Sequence, residues 1–107
     1  MKKIYLFCDN AMSTSMIAKK MQDVGDKHNL DIEVKAYPVR NLEKILEEKN
    51  PHCVLLGPQV RHLLEDTKNR VKDYDIPVGV IDSVDYGMMD GEKVLKKTIL
   101  LMKKYKK

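Results

Sequence analysis

Aromatic residues and long apolar segments are scarce in this chain. It has no tryptophan, one phenylalanine and no run near the ~20 apolar residues that span a membrane. Without an aromatic stacking platform, single-stranded nucleic acid is a poor ligand, and we expect no nucleic-acid partner. The amino-terminal apolar run covers only residues 4–7, whereas an export signal needs roughly seven or more. We therefore expect a cytoplasmic protein with no direct membrane insertion.

Cysteine and histidine are also few. Two cysteines, Cys8 and Cys53, are too few for a disulfide scaffold in a chain of this size, and they suit a reducing compartment. Cys53 lies in an apolar run and is predicted to belong to the core. The histidines fall in different segments, so the ligand spacing of a metal site is missing and no metal site is expected; they are His28, His52 and His62.

Size and composition predict a single globular domain over residues 1–107. The 107 residues are 43% hydrophobic and 34% charged, as is typical of such domains. The net charge is +4, and lysines crowd the carboxyl-terminal segment. We interpret them as the solvated end of a helix, where positive charge is favourable.

Strand-like and helix-like segments alternate along the chain. Residues 4–7 and 53–56 are continuous apolar runs, typical of strands that are covered on both faces. Residues 32–37 alternate apolar and polar side chains, which predicts an edge strand, and residues 78–81 give a fourth strand. Helical stripes predict helices from residue 13 or 14 to 28, before residue 50, across 60–71, and from residue 90 or 91 onward. Met16 and Met21 of the first helix are predicted to be core residues.

This alternation predicts an α/β fold with a four-stranded parallel sheet of order 2-1-3-4 and helices on both faces. Such a fold is flavodoxin-like, or phosphotyrosine-phosphatase-like. Its topological switch point lies between strands 1 and 3, at their carboxyl ends. Cys8 and the loop that begins at Gly57 should meet there, with the exit of strand 4, residues 82–87, at the same edge.

Cys8 ends the first strand just before a helix, and this position has chemical consequences. A helix amino terminus offers unpaired N–H groups and partial positive charge, so it binds phosphate and favours a thiolate. Ser13, Thr14 and Ser15 supply hydroxyls, one of which should cap the helix. The simpler interpretation is that Cys8 is a small buried apolar residue.

Cysteine phosphatases use a related loop with an arginine six positions after the cysteine. Here that position is Thr14, and residues 9–15 contain no arginine or lysine. Without a cation to stabilise the charge of phosphoryl transfer, rapid hydrolysis is disfavoured. The residues therefore favour a phosphoryl carrier over a phosphatase.

Three segments together resemble the IIB subunit of the bacterial phosphoenolpyruvate-dependent sugar phosphotransferase system, lactose/cellobiose (chitobiose) type. Two of them are residues 54–60 and residues 80–83, the latter leading to Tyr86-Gly87 and Asp90-Gly91. The third is the phosphorylation-loop motif that follows Ile-Tyr-Leu-Phe, namely Cys8-Asp9-Asn10-Ala11-Met12-Ser13-Thr14-Ser15.

The resemblance implies that Cys8 accepts a phosphoryl group from a phosphohistidine on a IIA protein. Cys8 then passes it to a β-linked disaccharide of the cellobiose, chitobiose or lactose class, bound in a membrane IIC transporter that holds the subunit at the membrane. No metal or organic cofactor is implied. The implied phosphate-binding loop comprises Asp9, Asn10, Ala11, Met12, Ser13, Thr14 and Ser15. Residues expected at its rim or in partner contacts are Gln59, Asp82 and Tyr86.

The chain departs from this family pattern beside the cysteine. Asp9 replaces a small residue and adds negative charge, and Ala11 stands where a glycine is usual, which would strain Ala11 if that position needs a positive φ. We therefore expect slower phosphorylation of Cys8 than in typical members. The same departures support an alternative, a non-catalytic regulatory module that binds a phosphorylated partner. A low-molecular-weight cysteine phosphatase is opposed by Thr14, and a thiol redox enzyme by the lack of a nearby resolving cysteine.

Overall fold

The computed structural model describes residues 1–9 and 11–106, with the side chains of residues 11–13 and 106 left out. Strands and helices alternate within this part of the chain. Short 3-10 segments cover Val39–Asn41, Pro58–Leu63 and Lys72–Tyr74. The strands and α-helices are β1 (Lys2–Cys8), α1 (Ala11–Lys27), β2 (Ile32–Pro38), α2 (Leu42–Lys49), β3 (Cys53–Leu56), α3 (Leu64–Val71), β4 (Val78–Val80), α4 (Ser83–Gly87) and α5 (Gly91–Lys106).

The four strands form one parallel sheet in the order β2-β1-β3-β4, which confirms the predicted topology. Ile4 of β1 aligns with Val34 of β2 on one side and with Cys53 of β3 on the other. Every residue of β3 is buried, whereas β2 is largely half-buried. The difference follows from position, since an edge strand is covered less than a central one.

Side-chain alternation along β1 divides the core into two layers. Ile4 and Leu6 pack on one face of the sheet with residues of α1 and α5, and Tyr5 and Phe7 pack on the other with residues of α2 and α3. Successive side chains of a strand point to opposite faces, so one apolar run contributes to both layers. Helices therefore cover both faces, as predicted.

The structure differs from the sequence expectations in four details, of which three concern helices and one concerns burial. The first helix begins at Ala11 and not at residue 13 or 14. Residues 82–87, predicted as a strand exit, contain the short helix α4. The helix predicted across 60–71 is a 3-10 segment that contains a non-helical Val60 and is followed by α3. Met16 is 57% exposed, so its assignment to the core was wrong, whereas Met21 is fully buried.

A close approach between α5 and α1 fixes the end of the chain against the start of the domain. A Cβ atom on Gly91 would lie 2.8 Å from the backbone carbon of Lys20 and 2.9 Å from the amide nitrogen of Met21. Only glycine allows the two backbones to come this near. Since α4 directly precedes α5, this contact also helps to hold α4 beside α1.

Candidate functional site around Cys8

Cys8 is the last residue of β1 and lies at the carboxyl edge of the sheet. The neighbouring strand β3 ends at the same edge. Its next residue, Gly57, donates a hydrogen bond from its N–H to the Phe7 carbonyl at 2.8 Å, and the chain then leaves the sheet. In a parallel α/β sheet, ligands bind at this point, outside the carboxyl ends of strands whose connections run in opposite directions. Cys8 itself is 3% exposed.

Two hydroxyl groups form a chain of hydrogen bonds that ends at the Cys8 sulfur. Thr14 Oγ1 on α1 donates a hydrogen bond to Cys8 Sγ at 2.8 Å, and Tyr86 Oη on α4 lies 3.1 Å from the same Thr14 oxygen. Thr14 is fully buried and Tyr86 is half-buried. Elements from the two ends of the chain therefore converge on one sulfur atom.

Gly57 lies against Cys8 with almost no room for a side chain. A Cβ atom on Gly57 would be 3.2 Å from Cys8 Cβ, 3.6 Å from Thr14 Oγ1 and 2.9 Å from Gln59 Oε1. The Gly57 backbone has an ordinary extended conformation, so the requirement for glycine here is one of space. The first residue after β3 thus packs beside Cys8, with the exposed Gln59 side chain next to Gly57.

The helix that carries Tyr86 is fixed by carboxylates at its start. Asp82 caps α4 by accepting hydrogen bonds from the amides of Val84 (2.8 Å) and Asp85 (3.2 Å), which lowers the pKa of Asp82 below its ordinary value of 3.8. The buried Asp85 accepts a 2.7 Å hydrogen bond from Lys97 Nζ of α5, which raises the pKa of Lys97. These contacts hold α4, and hence Tyr86, in place.

Of the residues singled out from the sequence, Thr14 contacts Cys8, Tyr86 contacts Thr14, and Gln59 lies beside Gly57. Asp82 instead caps the helix that bears Tyr86. Asp9 is exposed in the bend after β1, and Ser15 is exposed and lines a shallow groove between α1 and β2. Asn10 lies outside the described residues, as do the side chains of Ala11, Met12 and Ser13.

The early start of α1 changes the expected loop into the first turns of a helix. Because α1 begins at Ala11, none of Ser13, Thr14 and Ser15 is its cap, contrary to expectation. A helical residue has a negative φ, so the positive-φ strain anticipated at Ala11 does not arise. The first backbone N–H groups of a helix have no partner within it, and in α1 these groups follow Cys8 by only a few residues.

The structure brings Gly57 to Cys8, as predicted for the loop that begins at Gly57. Two features of the site were not predicted from the sequence, namely the pairing of Thr14 with Tyr86 and the existence of α4. Only α4 had a local signal, since aspartate is a preferred helix cap and Asp82 directly follows the predicted strand at residues 78–81. The pairing joins residues far apart in the chain and depends on the assembled fold.

Cys53 occupies the opposite edge of the sheet. It is the first residue of β3, is fully buried among apolar side chains, and its burial raises the pKa of its thiol to about 12. Burial disfavours the charged thiolate, so Cys53 is a core residue, as predicted. Among residues 1–9 and 11–106, no cluster of three or more His, Cys, Asp or Glu side chains suits a metal ion. Within the same part of the chain, no helix is long and apolar enough to cross a membrane.

Comparison with protein families gives one match over most of the chain. Residues 3–97 match the family described as PTS system, Lactose/Cellobiose specific IIB subunit. The oligo-beta-mannoside-specific EIIB component of Bacillus subtilis (strain 168) is 35% identical over 103 residues, covering 95% of this chain and 97% of that protein. The cellobiose-specific EIIB component of Lactococcus lactis subsp. lactis (strain IL1403) is 35% identical over 97 residues, covering 88% and 90%.

Two solved structures of IIB components are also similar to this chain. The cellobiose-specific phosphotransferase IIB component from Borrelia burgdorferi superposes with a TM-score of 0.77 at 30% identity, covering 97% of this chain and 94% of that one. The lactose-specific IIB component domain from Streptococcus pneumoniae superposes with a TM-score of 0.84, covering 94% and 96%. At 14% identity, this second likeness concerns the fold alone.

Proposed function

The chain belongs to the lactose/cellobiose-type IIB family of the sugar phosphotransferase system, and from this membership we propose that Cys8 is the residue that carries its phosphoryl group. Residues 1–107 are proposed to be one IIB phosphocarrier domain. The observation that carries the proposal is the 2.8 Å hydrogen bond from the Thr14 hydroxyl to Cys8 Sγ at the carboxyl edge of the sheet. A donor to sulfur favours the thiolate, which is the nucleophilic form.

The proposed reaction has two displacements at phosphorus. The Cys8 thiolate attacks the phosphorus of a phosphohistidine on a IIA protein; the S–P bond forms, the N–P bond breaks, and the imidazole nitrogen keeps the electron pair. A sugar hydroxyl then attacks the same phosphorus, the O–P bond forms and the thiolate leaves. The hydroxyl proton passes to solvent or to a base on the transporter. The amino terminus of α1 supports both steps, since its N–H groups favour the negative charge of the phosphoryl oxygens.

Carriage of the phosphoryl group is favoured over its hydrolysis. Thr14 and Gly57, two of the described residues against Cys8, are uncharged, and residues 9–15 contain no arginine or lysine. Asp82 is a poor general acid because its lowered pKa keeps it ionised at neutral pH. A phosphocysteine without these aids to hydrolysis persists until an acceptor arrives. Turnover of p-nitrophenyl phosphate by the wild-type protein would contradict this assignment.

A IIA protein and a membrane IIC transporter are the proposed partners. Exposed apolar side chains lie on the two elements that meet at Cys8: Met16 on α1, with Val84 on α4 and Met88 directly after it. Methionine is an adaptable contact residue, which suits a surface that meets two partners in turn. We propose that the protein works in the cytoplasm and reaches the membrane through IIC.

The proposed substrate is a β-linked disaccharide of the cellobiose, chitobiose or lactose class. Its support is the family and the relatives, which are named for oligo-beta-mannosides, for cellobiose and, in Lactococcus lactis subsp. cremoris (strain MG1363), for galactose. These relatives share one family but are named for different sugars. We therefore propose that the IIC transporter, which binds the sugar, determines which one is used.

The test is the intact mass of the protein after incubation with phosphoenolpyruvate, the general phosphotransfer proteins and a matching IIA. Wild type, Cys8→Ser and the control Cys53→Ala are treated in parallel. We expect one added phosphoryl group on wild type and Cys53→Ala and none on Cys8→Ser. If wild type stays unmodified while a control IIB is labelled by the same mixture, the proposal fails. The exposed Asp9 beside Cys8 would then favour the regulatory module.

A further inference from the structure

Three buried threonines on helices use their hydroxyls in different ways. Thr98 on α5 donates to the carbonyl of Val94, one turn earlier, at 2.7 Å. This internal bond is what a helical threonine ordinarily forms. The Thr14 hydroxyl instead donates to Cys8 Sγ. The hydroxyl of the third, Thr67, has no partner among the described residues. Something beyond helix geometry therefore selects the orientation of Thr14.

The number of protons that the hydroxyls carry explains the orientation of the Thr14 hydroxyl. A hydroxyl group has one proton and two lone pairs. When Cys8 is a thiolate, sulfur has no proton, so the bond of 2.8 Å uses the proton of Thr14. The contact of 3.1 Å between Tyr86 Oη and Thr14 Oγ1 must then use the proton of Tyr86. Both bonds point toward the sulfur, and each donor polarises the next.

We propose that Tyr86 is a positioning residue: its hydroxyl donates to Thr14 and fixes the Thr14 hydroxyl as a donor to the Cys8 sulfur, so that the thiolate is stabilised before it attacks phosphorus. The inference deepens the proposed function and rests on it for its meaning in phosphoryl transfer. Neither hydroxyl loses its proton in the reaction. Once the S–P bond forms, the sulfur no longer carries the charge, and the Thr14 proton is available to a phosphoryl oxygen.

Charged groups on the surrounding elements do not substitute for this donor. Asp9, next to Cys8, is negative and exposed and so opposes a thiolate. Lys97 of α5 is engaged by Asp85 at 2.7 Å and by Asp82 at 3.9 Å. Arg61, on the 3-10 segment after Gly57, is exposed to solvent, where its charge is screened. Among the described side chains, the two hydroxyls are therefore expected to stabilise the thiolate, together with the α1 amino terminus.

The fold explains how a residue so distant in sequence reaches this place. Tyr86 is 72 positions after Thr14, on the five-residue helix α4. The Asp82 cap and the Asp85–Lys97 pair hold that helix at both its start and its inner face. A hydroxyl held this way loses little further freedom when it donates to Thr14, so the alignment costs little.

The test reads the thiol directly and needs no phosphoryl donor. The rate of Cys8 alkylation by iodoacetamide is measured against pH on the full chain, with peptide mapping to separate Cys8 from Cys53. We expect Thr14→Val to slow alkylation near neutral pH by about tenfold and to shift the pH profile upward, because a hydrogen bond to a charged acceptor is lost. Tyr86→Phe is expected to shift the profile in the same direction, by about threefold in rate. Thr14→Ser, which keeps the hydroxyl, should stay within about twofold of wild type.

Thr98→Val is the matched control, since it removes the hydroxyl of another buried helical threonine. A profile for Tyr86→Phe equal to wild type would overturn the inference, as would equal shifts for Thr98→Val and Thr14→Val. Phosphorylation by IIA is measured on the same variants as a separate arm. If the alkylation profiles shift as expected but no variant and no wild type accepts phosphate, the thiol relay stands and the proposed function fails.

Discussion

The two cysteines lie at opposite edges of the same sheet and have opposite surroundings. Cys53 begins β3, is enclosed by apolar side chains, and has a thiol pKa raised to about 12 by burial. Cys8 ends β1 where a helix begins and accepts a hydrogen bond from Thr14. Both side chains are almost fully buried, at 0% and 3% exposure. Burial alone therefore does not decide whether a cysteine is inert.

The difference comes from which polar groups the fold places beside each sulfur. At the carboxyl edge of a parallel sheet, chain segments leave the strands and bring helix amino termini and loop amides with them. At the position of Cys53, the sheet neighbour is Ile4 of β1, and apolar side chains surround the sulfur. Polar groups of the kind that favour a thiolate lie at the first location, whereas burial disfavours a thiolate at the second.

The largest expected contrast is in the reactivity of the two thiols. At pH 8, a thiol with a pKa of about 12 is ionised in roughly one molecule in ten thousand. We expect iodoacetamide to modify Cys8 in the native protein at least about a hundredfold faster than Cys53, as measured by peptide mapping over time. In a denaturing concentration of guanidinium chloride, the two rates should converge. Faster labelling of Cys53 than of Cys8 in the native protein would contradict the claim that the surroundings of Cys8 make it the more reactive thiol.

For the free energy of unfolding, we expect Cys53 to matter more than Cys8, which is the reverse of their order in reactivity. Cys53→Ser puts a hydroxyl into an apolar layer, and we expect it to lower the free energy of unfolding by about 1–3 kcal/mol. Cys8→Ser should lower it less, because Thr14 and the α1 amino terminus offer partners to the new hydroxyl. Urea denaturation followed by circular dichroism measures both values. A larger loss for Cys8→Ser than for Cys53→Ser would mean that Cys8 is the more important structural residue.

A side chain at Gly57 is expected to crowd Cys8 and not Cys53. A Cβ atom there would lie 3.2 Å from Cys8 Cβ, so Gly57→Ala forces a shift of a few tenths of an ångström beside the sulfur. We expect alkylation and phosphorylation of Cys8 to slow several-fold, while Cys53 stays protected. Gly87→Ala is the control, since a Cβ atom there would meet nothing within 4 Å. Equal rates for Gly57→Ala and wild type would mean that the close packing has no role in reactivity.

The sheet order and the location of Cys8 at its carboxyl edge were predictable because they follow from strong, local patterns. Continuous apolar runs at residues 4–7 and 53–56 indicate central strands, and the alternating run at 32–37 indicates an edge strand. Parallel topology then brings the strand exits together. The position of the candidate site follows from these facts.

The hydrogen bonds at Cys8 were not predictable, because they join residues whose proximity exists only in the folded chain. Thr14 and Tyr86 are adjacent because α4 forms and packs near α1, and the five residues of α4 have too little periodicity to reveal a helix. The start of α1 was misplaced for another reason. The hydroxyl residues at 13–15 favour a helix cap locally, yet the helix begins earlier, and element boundaries are what local preferences specify least.

A smaller effect is expected from the charge next to Cys8. Asp9 is exposed, so its repulsion of a thiolate and of an incoming phosphoryl group is partly screened by solvent. We expect Asp9→Ser to speed phosphorylation by IIA about two- to threefold at low ionic strength, and Asp9→Glu, which keeps the charge, to leave it near the wild-type rate. The gain should shrink at high salt. An unchanged or slower rate for Asp9→Ser would exclude repulsion as the reason for slow transfer.

The smallest effect is expected from the cap of α4. The folded-state pKa of Asp82 lies below 3.8 because the amides of Val84 and Asp85 donate to its carboxylate. A lowered pKa means that the cap contributes stability above about pH 3.8 and loses that contribution as pH falls through the folded-state value. The melting temperature of Asp82→Ala should therefore lie below that of wild type at pH 7, and the gap should narrow in acid. Asp82→Asn, which keeps an acceptor oxygen, should lie between them.

Removing the α4 cap also tests whether the structure around Cys8 can be loosened without exposing Cys53. Because α4 carries Tyr86 at the Cys8 end of the sheet, Asp82→Ala should slow Cys8 alkylation slightly and leave Cys53 as protected as before. A simultaneous loss of Cys53 protection would instead mean that Asp82→Ala opens the whole domain. The carboxyl edge would then have no local stability of its own, and the contrast between the cysteines would reflect only their depth in one cooperative unit.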